Sequence, residues 1–130
     1  MATSPIFVGT AKHPTVRIAT ANINRDGTGT LGTVFTAGAA GSYFKGVRVQ
    51  AEVTTTAGVI RLYIQAAGAG NNELIKELLV TAVTPSTTVE AFSIEWYPLG
   101  GIVLALTDVF KASTHIAETF SVWLEGGGDY

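Results

Sequence analysis

The sequence contains no cysteine, a single methionine, four prolines and few charged residues. Without cysteine, the chain forms no disulfide, offers no thiolate to a metal and has no cysteine nucleophile. Charged residues make up 14% of the chain, compared with about 25% in an average soluble domain. We therefore expect other subunits to cover part of the surface.

Long apolar segments are also missing. No run approaches the roughly 20 apolar residues that a membrane-spanning helix needs. The first residues, Met1 to Pro5, lack the basic and apolar regions of a signal peptide. We therefore expect a protein that is made in the cytoplasm, is not exported by the general secretory route and has no membrane partner.

The few charges are unevenly distributed along the chain. Up to Ala51 there are five basic residues and one acidic residue, whereas from Glu52 onward there are three basic and nine acidic residues. This asymmetry is scatter over a folded surface, head-to-tail complementarity between copies, or a positive N-terminal part that faces an acidic partner. The basic residues are isolated and do not alternate with aromatic residues, so we expect no nucleic-acid partner.

The stretch from Tyr43 to Gln65 has the clearest pattern in the chain. Apolar and polar residues alternate over 47–53 and again over 59–65, which predicts two strands with one buried face each. The short link containing Gly58 predicts that these strands form a hairpin. On this interpretation Arg48, Arg61 and Tyr63 lie on the outer face, where they are candidate contacts for a partner protein.

Further strand patterns recur about every ten residues, with turn signals between them. The segment 73–80 also has helical spacing, but we predict a strand because an isolated helix of about eight residues is marginal. The fold class predicted is all-β: an antiparallel β-sandwich, most simply a jelly roll of eight or nine short strands. The predicted strands are 16–21, 33–36, 47–53, 59–65, 73–80, 89–96, 102–104, 109–114 and 119–124.

Both ends of the chain differ from this central domain, which we place at residues 15–125. Pro5 and Pro14 exclude a helix across residues 1–14, so this segment is predicted to be an extended arm. Its apolar residues Ile6, Phe7 and Val8 belong either to a disordered start or to an arm that docks on a neighbouring subunit. The glycine-rich residues 126–130 are predicted to be a flexible tail.

Three patterns that suggest chemistry have simpler interpretations. Residues 27–32 fit G-x-G-x-x-G, but a strand pattern follows where a dinucleotide site needs a helix. Asp108, Ser113 and His115 lack the sharp turn that presents a catalytic serine. His13 and His115 are too far apart in sequence to indicate a metal site. We therefore predict no enzyme activity, no catalytic residue, no metal and no cofactor, and leave open a calcium ion held by loop carbonyls.

The aromatic residues near the C-terminal end of the chain allow two interpretations. Trp96 and Trp123 pack in the core, with Tyr97 at the end of a sheet, or these residues and Tyr130 form a platform for a sugar. We expect core packing and keep carbohydrate binding as the alternative.

Three segments resemble small proteins encoded among the structural genes of tailed bacteriophages and prophages. They are Leu74-Ile75-Lys76-Glu77 continuing through Val80 to Ser86, Glu95-Trp96-Tyr97-Pro98-Leu99-Gly100-Gly101, and the ending from Ala112 to Tyr130. The resemblance rests on strand and turn patterns and covers about two-thirds of the chain.

The resemblance implies a virion component made in the cytoplasm of the host. Many such proteins are jelly rolls that decorate or cement the head, often as trimers. The expected partners are therefore other copies of the chain and the major capsid protein or other virion proteins. The alternative within the same class is a subunit of the tail, baseplate or fibre.

Overall fold

The computed structural model describes residues 9–68 and 70–130, which form an all-β fold. One short 3-10 helix, Ala66–Gly68, is the sole helical segment of these residues. The strands are β1 Thr10–Ala11, β2 Thr15–Ile18, β3 Gly32–Thr36, β4 Ser42–Phe44, β5 Gly46–Ala51, β6 Gly58–Gln65, β7 Asn72–Val80, β8 Ser93–Trp96, β9 Ile102–Leu104, β10 Val109–Thr114, β11 Phe120–Glu125 and β12 Gly128–Asp129.

The strands form three antiparallel sheets of four strands each. Their orders are β1-β12-β4-β9, β2-β11-β5-β8 and β3-β10-β6-β7. The first two sheets use the same four chain segments in the same order, and backbone hydrogen bonds join them at Lys45–Glu125 (3.0 Å) and Leu124–Pro14 (3.2 Å). We call these two sheets together layer one and the third sheet layer two. The arrangement is sandwich-like.

Alternate side chains of both layers build a single apolar core. In β11, for example, Phe120, Val122 and Leu124 are buried while the residues between them are partly exposed. Phe35 of layer two meets Phe44 of layer one edge to face, with ring centroids 5.0 Å apart, a favourable geometry for aromatic pairs. The inward-facing residues therefore join the two layers.

The predicted hairpin between 47–53 and 59–65 is wrong. Both segments form strands, but β5 pairs with β8 and β11 in layer one, whereas β6 pairs with β7 and β10 in layer two. The link between them crosses from one layer to the other and is fixed by a bridge between Thr55 and Val83. Alternation predicts that a strand has one buried face, but it does not tell which strand lies beside it.

Several strand predictions are confirmed. The ambiguous segment 73–80 is strand β7, and β9 and β10 have the predicted bounds. The predicted strand 89–96 is shorter, because β8 begins at Ser93. The chain forms a strand there for only as long as it pairs with β5.

The division into an arm, a domain and a tail stays a prediction, but both end segments contain strands. Thr10–Ala11, within the predicted arm, is β1. Gly128–Asp129, within the segment expected to be flexible, is β12 and pairs with both β1 and β4. Asp129 also accepts hydrogen bonds from the backbone N–H of Gly38 (3.2 Å) and from the Ser42 hydroxyl. These contacts tie the C-terminal residues to layer one.

Candidate interaction surface

The outer face of layer one brings together residues that are distant in sequence. Strand pairing places Trp123, Arg48 and Glu95 in one row across β11, β5 and β8. Each of these residues lies between inward-facing neighbours, so its side chain points away from the core. The row combines an aromatic ring, a cation and an anion on one surface.

Arg48 is the centre of this row. Its Nη2 lies 2.7 Å from Oε1 of Glu95 and its Nε lies 3.8 Å from Oε2 of Glu125. Its guanidinium carbon is also 5.4 Å from the centroid of the Trp123 ring, within cation–π range. Because these ion pairs are partly exposed, each contributes little to stability, about 1 kcal/mol or less. Their main effect is to hold the guanidinium in one place.

Two buried donors in this row have no hydrogen-bond partner among the described residues. They are Nε of Arg48 and Nε1 of Trp123. His13 packs edge to face on the Trp123 ring, with centroids 5.2 Å apart. Buried polar groups without a partner are costly, and a bridging water is one way in which proteins satisfy them.

A concavity adjoins the row at the bend between β4 and β5. It measures about 430 Å³ and is lined by Lys45, Tyr97, Glu125 and Gly126. The Tyr97 hydroxyl donates a hydrogen bond to Glu125, which links the concavity to Arg48. We call Arg48, Glu95, Tyr97, Trp123 and Glu125 the layer-one surface. Tryptophan, tyrosine and arginine are the residue types most enriched at the centres of protein interfaces.

Arg61 and Tyr63, predicted to be partner contacts, do not belong to this surface. Arg61 is 4% exposed and Tyr63 is fully buried, so neither is available to a partner in this fold. The connection between β2 and β3 lies over them. Backbone carbonyl groups of Asn22 and Asn24 accept hydrogen bonds from Arg61 Nη1 (3.4 Å) and the Tyr63 hydroxyl (3.1 Å).

Polar contacts hold this covering loop, residues 22–31, in place. The buried Asn22 side chain donates to the carbonyl oxygens of Thr28 and Thr30, both at 2.9 Å, and accepts from the N–H of Asn24. Asn72 of β7 donates to the carbonyl oxygen of Gly27 at 2.9 Å. The loop whose sequence fits G-x-G-x-x-G therefore lies over Arg61 and Tyr63 on the outer face of layer two. Its Gly27 has φ +84°, a conformation that glycine adopts readily.

Arg61 beneath this loop and Arg25 within it are both paired with Glu77. Nε of Arg61 lies 3.4 Å, and Nε of Arg25 3.3 Å, from the same Oε2 of Glu77. At the tip of the loop, the Thr28 hydroxyl and backbone N–H hold the pKa of the Asp26 carboxyl below its usual value.

The other residues that the sequence suggested as catalytic or metal-binding candidates do not form a reactive group in the described part of the chain. The carboxylate of Asp108 accepts hydrogen bonds from the backbone N–H groups of Ala67 and Ala105, both at 2.9 Å. Ser113 is buried on β10, and its hydroxyl has no partner in the described part of the chain. Within residues 9–68 and 70–130 no three metal-binding side chains cluster, and no helix is long and apolar enough to span a membrane. Ile6, Phe7 and Val8 lie outside the described residues.

The sequence analysis missed Trp123 and Glu125 as surface residues. We expected Trp123 in the core, yet it is half-buried on the outer face. The signal was present, because Phe120, Val122 and Leu124 alternate with Ser121, Trp123 and Glu125. Trp96 does pack against the core as expected.

Searches against protein families, curated proteins and solved structures found no match to this chain.

Proposed function

We propose that the protein is a structural component of a bacteriophage virion, most simply a head decoration or cement protein that binds the assembled capsid as a homo-oligomer. The observation that carries the proposal is the layer-one surface, which places Trp123, Arg48 and Tyr97 together on a rigid sheet. The resemblance of the sequence to phage structural proteins gives the class of partner. The copies are proposed to form a trimer.

The strand order supports a jelly roll as the finer topology. The strands fall into eight chain segments: 10–18, 32–36, 42–51, 58–65, 72–80, 93–104, 109–114 and 120–129. The first segment pairs with the eighth, the second with the seventh, the third with the sixth and the fourth with the fifth. This nesting is what results when one long hairpin is rolled into two layers, the architecture that many viral shell proteins use.

The proposed mechanism is cohesion across capsomer boundaries. A rigid sandwich bound through a small number of aromatic and arginine contacts adds an interface that must break before the shell dissociates. The partner surface on the major capsid protein is proposed to contact the exposed parts of Arg48, Tyr97 and Trp123. No covalent chemistry is required for this role.

The direct test is co-sedimentation of the purified protein with purified heads and, separately, with tails of the encoding phage. We expect saturable binding to heads and none to tails. Binding to tails alone would support the alternative, a tail, baseplate or fibre subunit. Binding to neither particle would refute the proposal.

The concavity beside Tyr97 favours one second candidate, carbohydrate binding. An exposed tyrosine next to a carboxylate and a lysine is suited to stacking on a sugar and hydrogen bonding to its hydroxyl groups. Titration with a panel of glycans, followed by tryptophan fluorescence, tests this role because Trp123 lies beside Glu125. A fluorescence change that is lost in Tyr97→Ala would support it, and the absence of any change would exclude it.

A further inference from the structure

The outer edge of layer one carries a second exposed surface, distinct from the layer-one surface except for Tyr97. Four large apolar side chains are exposed between Tyr97 and Leu106. The two most exposed of these four are Leu99 at 106% and Val103 at 66%. The sequence has no charged residue from Trp96 to Thr107. We call Tyr97, Leu99, Val103 and Leu106 the β9 patch. Contiguous exposed apolar residues of this kind mark interaction sites.

The β9 patch lies on a strand edge that carries no charged side chain. In the described part of the chain, β9 pairs with β4 alone, so its other side is open. One of the two edge strands of layer two, β7, is different. It has a bulge near Ile75 and charged residues at Glu73, Lys76 and Glu77, which are devices that prevent another strand from adding. Of these two edges, β9 is therefore the one without charged side chains.

We propose that residues Ile6, Phe7 and Val8 of a second copy of this chain occupy the β9 patch by pairing along β9. The described chain begins at Gly9, at the opposite edge of the same layer, where its N–H donates to the Asp129 carbonyl oxygen at 2.9 Å. Residues 2–11 contain no charged side chain. The residues before Gly9 are thus attached at one edge of layer one, and an uncharged apolar strand is open at the other edge.

The arm of the same copy is too short to reach this patch. β1 and β9 are separated by three strand spacings, which is about 14 Å. Phe7 is two residues before Gly9, so it can lie at most about 7 Å away from it. A second copy is therefore needed to bring Phe7 against Val103.

The resulting contact is heterologous, since one copy contributes its arm and the next contributes β9. Contacts of this type close into rings when the rotation between copies is right, and three copies would give the proposed trimer. The inference rests on the homo-oligomer in the proposed function, and it adds which segments meet. Addition of a strand supplies main-chain hydrogen bonds, while the apolar side chains supply specificity.

Cross-linking between two single-cysteine variants tests the contact, because the chain has no cysteine of its own. Phe7→Cys and Val103→Cys are purified separately, mixed, oxidised and separated by electrophoresis without reductant. We expect a disulfide-linked dimer at least tenfold more abundant than in a control mixture of Phe7→Cys with Leu79→Cys, which places the cysteine at an equally exposed position on β7.

Two results would overturn the inference. One is a yield no higher than in the control mixture, and the other is a dominant dimer of Val103→Cys with itself, which would mean that β9 meets β9. The test is independent of head binding. If the native protein binds heads but the cross-link fails, the inference is wrong and the proposed function stands. If the cross-link forms but the native protein does not bind heads, the inference stands and the proposed function is wrong.

Solution mass gives a second measurement. Deletion of residues 2–8 and the substitution Val103→Asp each remove one side of the contact, so each should shift the oligomer to monomer. The variant that combines both changes should contain no more monomer than either single variant. Leu79→Asp is the matched control and should keep the oligomer. Retention of the oligomer by both the deletion and Val103→Asp contradicts the proposal.

Discussion

Strands β5 and β6 have nearly the same sequence pattern and different environments. Each alternates apolar and polar residues, and each carries an arginine on the face turned away from the core. In β5 the side chain of Arg48 is 38% exposed within the layer-one surface, whereas in β6 the corresponding figure for Arg61 is 5%. The difference arises from loop 22–31, which covers the outer face of layer two and leaves that of layer one open. The outer face of a sheet is therefore accessible to a partner only when no other part of the chain covers it.

The largest effect that we expect from this difference between Arg48 and Arg61 is on the free energy of unfolding. Arg61→Ala leaves a cavity and removes one of the two cations beside Glu77, and we expect it to lower the free energy of unfolding by about 2–3 kcal/mol. Arg48→Ala removes partly exposed ion pairs and a cation–π contact with Trp123, and it should cost about 1 kcal/mol. Urea denaturation of the two variants measures the difference. Equal losses would mean that the two arginines have equivalent environments, contrary to our account.

The covering loop should depend on Asn22 more than on any exposed residue beside it. Asn22→Ala removes two donated hydrogen bonds and one accepted bond from a buried side chain, and we expect a loss of about 1–2 kcal/mol. Asn24→Ala is the matched control, because its side chain makes one exposed bond to Thr28; it should cost less than about 0.5 kcal/mol. Faster hydrogen exchange at β6 in the first variant alone would show that the loop has lifted from layer two.

The smallest effect concerns acid stability at the tip of the loop. The pKa of Asp26 is lowered by hydrogen bonds from Thr28, so the ionised carboxylate favours the folded state. This contribution is present above the pKa of the unfolded chain and is lost as the pH falls through the lower folded pKa. Thr28→Val should therefore lower the urea midpoint more at pH 7 than at a pH below the folded pKa of Asp26, where only the bond from Asn24 is lost. A difference from the native protein that is the same at both pH values would contradict this.

Local patterns predict the strands of this protein but not their neighbours. Alternation places β5, β6, β10 and β11 correctly, because one buried face is a property of the strand itself. It misassigns the pairing of β5 with β6, because an equally short link can turn back in one sheet or cross to the other layer. The same limit applies to Asp26-Gly27, a dipeptide that favours a hairpin turn, because the strands on either side of it, β2 and β3, lie in different layers.

The candidate surface is predictable only in part for the same reason. Arg48 is on the outer face as its alternation indicates, and Trp123 could have been placed there by the pattern of β11. That the two meet is a consequence of register between strands more than 70 residues apart in sequence. The burial of Arg61 depends on a loop nearly 40 residues away, and no pattern within β6 carries that information.

The most direct test of the central claim compares two charge reversals in head co-sedimentation. Arg48→Glu changes the layer-one surface, and Arg25→Glu changes a more accessible arginine on the loop over layer two. Each substitution places an acid where the native arginine is paired with a carboxylate. Our account predicts that Arg48→Glu weakens head binding at least tenfold while retaining a folded protein by circular dichroism, and that Arg25→Glu binds within about twofold of the native protein. Native binding by Arg48→Glu, or loss of binding by Arg25→Glu alone, would contradict it.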